Sequence, residues 1–199
     1  MVQRNNLKGR LKMNARQRLF IGVLLLGLQG PLVGSAVLAA QFPTEYQLQA
    51  NSLFNLLKFV EWPENASAGA HAKWVIGVVG STPVTYELVR MVAGKTILGR
   101  ELKIEAVQSV DRMRACQVLF ISASERKRLP SILAGVRGYS VLTVSDMDNF
   151  VESGGMVQFV MADERVRMMI DVGAATGARL KISAKLLALA SAVTARNSE

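Results

Sequence analysis

Cysteine and histidine are almost absent: the 199 residues hold one of each, Cys116 and His71. A lone cysteine excludes an internal disulfide framework. It reads as a small buried hydrophobe at the start of a strand, with an intermolecular or redox role as the other reading. His71 lies in a loop of small and polar residues without a surrounding ligand set or a nucleophile partner, so it supplies neither a metal site nor a catalytic base. The sequence also lacks a Gly-Lys-Ser/Thr phosphate loop, a Gly-x-Gly-x-x-Gly run after its first strand and a Gly-x-Ser-x-Gly elbow. After the first strand stands Gly80-Ser81-Thr82, where a phospho-accepting regulator needs acidic residues. No catalytic machinery, cofactor or metal is expected.

Positive charge is plentiful but unevenly placed. The formal charge is +9, yet Arg4, Lys8, Arg10, Lys12, Arg16 and Arg18 precede every acidic residue, and without them only three positive charges remain. Nucleic acid is therefore not an expected partner. The basic segment runs into the apolar Leu19–Leu28 and then Ser35-Ala36-Val37-Leu38-Ala39-Ala40, the three-part pattern of a secretory signal peptide cleaved after Ala39 or Ala40. Leu19–Ala40 is free of charge and just long enough to span a bilayer, so a retained anchor is the rival. Gly30-Pro31 and the small residues favour cleavage. Either way the basic flank stays inside and residues 41–199 form one exported domain.

Thr44-x-x-Gln47 is a capping box opening a helix whose Tyr46, Ala50, Leu53, Leu57 and Val60 form an apolar stripe, widened by Phe54, Leu56 and Phe59. So wide a surface predicts a sandwiched helix, a partner-facing one being the alternative; Pro63 ends it. Short apolar runs follow at Trp74–Val79, Leu102–Val107, Cys116–Ile121, Val141–Val144 and Met156–Met161, separated by helical or polar stretches. Ala162-Asp163-Glu164 then turns the chain into an alternating strand, Arg165–Asp171. The pattern predicts an α/β fold of three layers: a mostly parallel sheet flanked by helices, with right-handed crossovers, a C-terminal β-hairpin whose last strand adds antiparallel at an edge, and a terminal helix over Ser183–Ala195. A short helix after Ser145-Asp146, closed by Gly154-Gly155, completes the reading.

In such sheets ligands bind beyond the carboxyl ends of the strands. Here those ends offer Ser81, Thr82, Ser122, Ser145 and Asp146, which would cradle an anion at helix starts. Each also stands where a simple helix cap is expected. Asp146/Asp148 and Asp163/Glu164 are explained by capping and a hairpin tip.

Several segments carry a resemblance: Glu45-Tyr-Gln-Leu-Gln-Ala with Asn55-Leu-Leu-Lys-Phe-Val-Glu-Trp-Pro, Ile76-Gly-Val-Val-Gly, Gly94-Lys with Gly99-Arg, Cys116-Gln-Val-Leu-Phe-Ile, Val141-Leu-Thr-Val-Ser-Asp, Gly154-Gly-Met-Val-Gln-Phe and Leu180-Lys-Ile-Ser-Ala-Lys-Leu-Leu. In this order they cover essentially the whole mature chain and resemble the YfiR family. The resemblance implies a periplasmic repressor that binds the periplasmic sensor region of an inner-membrane diguanylate cyclase and lowers cyclic di-GMP and biofilm formation. It also implies a homodimer and sequestration by an outer-membrane lipoprotein. It implies paired cysteines as well, from which this chain departs: Cys116 matches one half, Gly77 stands at its partner's place, and a later pair falls near Val151 and Gln158. Candidate partner-binding residues are Lys58, Glu61 and Trp62 at the end of the first helix and Arg179, Lys181 and Ser183 before the last, because they set aromatic and basic groups beside apolar surface. A small-molecule-sensing module, needing a closed pocket at the strand ends, is the alternative function.

Overall fold

The computed structural model describes residues 43–63 and 73–194. The expected signal segment and His71 lie outside them. Helix α1 (Glu45–Phe59) opens with the expected capping box, Thr44 accepting from the Gln47 amide and Gln47 answering on the Thr44 amide. It buries Ala50, Leu53, Leu56 and Leu57, while Tyr46 stays exposed. β1 (Val60–Glu61) follows directly.

The sheet begins at β2 (Trp74–Val79) and continues through α2 (Val84–Val92), β3 (Thr96–Ile97) and β4 (Arg100–Ala106). β3 and β4 form a tight hairpin with Leu98 and Gly99 both at positive φ, the geometry that matches strand twist in two-residue turns. α3 (Val110–Arg114), capped by Ser109, leads to β5 (Val118–Ile121). A 3₁₀ turn (Ala123–Arg128) capped by Ser122 and α4 (Leu129–Val136) lead to β6 (Leu142–Ser145). Then come β7 (Val157–Ala162), β8 (Arg165–Asp171), α5 (Val172–Gly177), β9 (Lys181–Ile182), α6 (Ala184–Leu189) and β10 (Ala192–Thr194).

Eight strands join in the order β10-β8-β7-β6-β5-β2-β4-β3, parallel except at β7–β8 and β3–β4. One apolar cluster unites α1, α2, α5 and α6 with Ile76, Phe120, Val144 and Ile170 on one sheet face. A second unites α3 and α4 with Leu119, Ile121, Met147 and Phe150 on the other. The three-layer α/β expectation holds. α1 lies over the sheet and against α2, which accounts for its wide apolar surface.

Three local expectations are corrected. The connection from β6 to β7 is a series of turns rather than a helix. Asn149 adopts φ 60 there, a left-handed value that interrupts helical propagation. Buried Gln158 accepts from the Phe150 and Val151 amides, giving those donors a partner outside any helix. The terminal helix stops at Leu189, and residues 192–194 pair parallel with β8. Both the Ser191 amide and its hydroxyl donate to Met168 O, so strand pairing at an open edge prevails over the helix propensity of an Ala-rich segment. Consequently β8 lies inside the sheet rather than at its edge.

Not anticipated from local pattern is the two-stranded antiparallel ribbon of β1 and β9, in which Val60 faces Ile182 and Glu61 faces Lys181. The Ser183 amide extends it by donating to Phe59 O at 2.9 Å.

Candidate functional site

The two groups of candidate residues fall at opposite ends of the sheet. At the carboxyl end, the hydroxyls are engaged within the chain. Ser145, fully buried, donates to Ile121 O at 2.6 Å and accepts from the Met147 amide. Ser122 donates to Ser81 O at 2.8 Å, the Ser81 amide donates to Ser124 Oγ, and Thr82 Oγ1 accepts from the Val84 amide. The crevice where chain direction reverses, between β2 and β5, is thereby stitched shut. A Cβ at Gly80 would meet Ser124 Oγ at 2.4 Å, which shows how closely the loops approach and why this φ +88 position is glycine. Each of these hydroxyls thus takes part in capping or loop closure. A nearby pocket of about 380 Å³ is lined by Val78, Gly80, Ala106, Gln108, Glu125 and Arg128 among others. Its two charged side chains pair with each other at 2.9 Å.

Asp146 differs. It is partly buried, its Oδ1 has no hydrogen-bond partner among the described residues, and neither has Oε1 of the neighbouring buried Gln49. Burial raises the Asp146 carboxyl above its ordinary 3.8, with Glu45 on α1 and Asp148 in the following turn pushing the same way; its own backbone amide and Gln49 oppose. Gln49 Nε2 also donates to Glu45 at 3.1 Å. A carboxyl raised in the folded state holds its proton more tightly there than in the unfolded chain. Its stabilising contribution is therefore complete below 3.8 and is lost as pH climbs through the folded value. Asp146→Asn, which removes the charge, is expected to raise stability by about 1 kcal/mol at neutral pH and to lose that advantage toward pH 4. Urea midpoints of both proteins across this range check it; a pH-independent difference would show that the charge is not the cause.

At the amino end the ribbon brings the other six candidates together. Lys58 donates to Asn55 at 3.1 Å and sits 4.6 Å over the Phe54 ring. Glu61 and Lys181 face each other across the ribbon, both exposed. Trp62 donates from Nε1 to Gln117 O at 3.3 Å and packs against Trp74, ring centroids 5.2 Å apart. It is thus partly a structural clamp between α1 and the sheet. Arg179, at φ 63, reaches Gly138 O at 3.2 Å. Ser183 caps α6 through its hydroxyl while its amide prolongs the ribbon. Segments about 120 positions apart in sequence thus make one surface.

Sequence reasoning missed Lys95, Arg100 and Lys185, which lie at the same end. Lys95 approaches the Phe54 ring from 5.6 Å, Arg100 covers Trp74 at 5.4 Å and Lys185 covers Phe59 at 5.7 Å. The Phe54–Lys58 spacing of four was a visible signal; the other pairings are long-range.

Among the described residues no group of His, Cys, Asp and Glu is arranged to hold a metal, and no helix is long and apolar enough to cross a membrane. Cys116 is buried and donates to Arg112 O at 3.2 Å; burial pushes its thiol up to about 11, so it is not a thiolate at neutral pH.

The fold defines a three-layer α/β domain. Residues 46–191 match the family described as YfiR/HmsC-like, and the chain belongs to that family. The family is regulatory and periplasmic, and its business is cyclic di-GMP signalling. No curated protein sequence matches the chain.

Proposed function

We propose that the mature chain, released by cleavage after Ala39 or Ala40, binds the periplasmic sensor region of an inner-membrane diguanylate cyclase and holds it inactive, lowering cyclic di-GMP and biofilm formation. The observation that carries this reading is the β1–β9 ribbon, which merges Lys58, Glu61 and Trp62 with Arg179, Lys181 and Ser183 into one mixed aromatic and charged surface. That composition suits a protein interface. The carboxyl-end hydroxyls, already engaged internally, give a small-molecule sensor little to recognise with. Repression then needs only preferential binding: about 2.8 kcal/mol of preference for the inactive conformation shifts the cyclase equilibrium a hundredfold at saturation. The repressor acts as a homodimer, and an outer-membrane lipoprotein relieves repression by sequestering it.

Affinity-tagged protein, incubated with detergent-solubilised membranes, is expected to retain a protein with a cyclase output domain, and deletion of the gene to raise cyclic di-GMP. A deletion that leaves cyclic di-GMP unchanged, with no membrane partner recovered, overturns the reading.

A further inference from the structure

Several cations at the amino end of the sheet lie over aromatic rings rather than beside carboxylates. Lys73, at this same end, pairs with Glu101, and on the rest of the surface Lys103 and Arg112 pair with Glu105, Arg90 with Glu87 and Arg167 with Asp163. At the amino end, Lys58, Lys95, Arg100, Lys181 and Lys185 form no ion pair among the described residues. Four of the five are held over aromatic faces instead, Lys58 and Lys95 sharing Phe54. A ring under an ammonium or guanidinium restricts its motion without neutralising it. Those rings are tied together: Trp74 packs on Trp62, and Phe59 lies where the Ser183 amide joins the ribbon. The result is a predominantly positive field, interrupted by Glu61 and by the Lys73–Glu101 pair, spanning α1, the β3–β4 hairpin and the segment from β9 to α6.

We propose that this cationic-aromatic face is the docking surface for an acidic protein surface, and that electrostatic complementarity, not apolar burial, selects the partner there. The proposal rests on the repressor reading and specifies the chemistry of the cyclase contact. Two features favour a protein over an anionic lipid surface. Glu61 is exposed in the middle of the field, which a uniformly negative membrane would repel but a patterned protein surface can match. The rings lie beneath the cations, so they are not free to enter a headgroup layer.

The test combines Lys95→Glu with Lys185→Glu, both exposed. The control combines Arg126→Glu with Lys127→Glu on the exposed 3₁₀ turn following the carboxyl end of β5. Circular dichroism melts establish that each variant folds; if the double variant does not, Lys95→Gln with Lys185→Gln takes its place. Affinity for the purified periplasmic region of the cyclase is expected to fall at least about tenfold in the first variant and to be unchanged in the control, and wild-type affinity is expected to fall with added salt. Equal affinity of both variants and wild type overturns the proposal while leaving repression intact, since the first variant then still restores low cyclic di-GMP to a deletion strain. Loss of binding to phosphatidylglycerol vesicles with cyclase affinity unchanged also overturns it, in favour of a lipid surface. If the wild-type protein itself binds no cyclase and its deletion leaves cyclic di-GMP unchanged, the repressor reading falls, and this proposal with it.

Discussion

Gly77→Cys is expected to stabilise the oxidised protein by about 2 kcal/mol, whereas Gly77→Ala is expected to destabilise it by about as much. Gly77 sits in the middle of β2, opposite Leu119 of β5 and Glu105 of β4. A Cβ there would lie 2.6 Å from Cys116 Sγ and 3.1 Å from both Leu119 Cδ1 and Val107 Cγ2. Alanine fills a space that the sulfur already occupies, and overpacking a closed core costs about 1–3 kcal/mol. A cysteine turns the same proximity into a bond, because Cβ and the far sulfur of a disulfide stand about 3 Å apart. Closing a loop of about 40 residues removes unfolded-state entropy equivalent to about 4 kcal/mol, from which the overpacking cost is subtracted. The native Cys116 thiol, buried and raised to about 11, is a poor nucleophile at neutral pH, so the bridge forms during folding under oxidising conditions. Denaturation midpoints with and without reductant, alongside a thiol count by mass spectrometry, decide the matter. Two free thiols in the oxidised variant, or a midpoint indifferent to reductant, would contradict the geometry.

The same comparison shows how this chain manages without the paired cysteines its resemblance implies. Near Val151 and Gln158, where a second pair would fall, the buried Gln158 carboxamide accepts the Phe150 and Val151 amides at 3.0 and 3.4 Å. A hydrogen-bonded tie joins the two segments at that place.

Much of the architecture was legible because its signals are local. The Thr44 capping box, the buried run Trp74–Val79 and the Asp163-Glu164 turn, both residues at positive φ, need only neighbouring residues to be read. What escaped depends on distant partners. Ala192–Thr194 becomes a strand only because β8 offers a free edge, and Val60–Glu61 only because Lys181–Ile182 arrives beside it. The functional candidates divide along the same line. Ser145 and Asp146 were correctly placed at a strand end, but Ile121 O, which engages the Ser145 hydroxyl, is 24 positions away and invisible to pattern. Lys58, Glu61 and Lys181 were singled out on chemistry, whereas their union in one surface, with Lys95, Arg100 and Lys185 around it, is a property of the fold.

Gly155→Ala is expected to destabilise the protein by about 3–5 kcal/mol. An added Cβ would lie 2.1 Å from Phe150 Cε1, 2.3 Å from Cδ1 and 2.5 Å from Cζ, so the flat of the ring fills the place of the missing side chain. Phe150 is fully buried among Ile121, Leu129 and Met147, and its amide is held by Gln158, leaving the ring no direction of retreat. Either the ring is driven out, at a cost comparable to truncating a buried phenylalanine, or the 150–155 turn opens; both amount to about 3–5 kcal/mol. Gly154, its neighbour, provides the contrast. No atom lies within 4 Å of a Cβ there, but its φ is +96, so Gly154→Ala meets backbone strain alone and is expected to cost about 1 kcal/mol. A double-mutant cycle separates packing from backbone effects: in a Phe150→Ala background the Gly155→Ala penalty should fall by at least about 2 kcal/mol, whereas the Gly154→Ala penalty should not change. A Gly155→Ala cost under about 1 kcal/mol in the native background would mean that the ring yields freely, and that the β6–β7 connection is not locked as described.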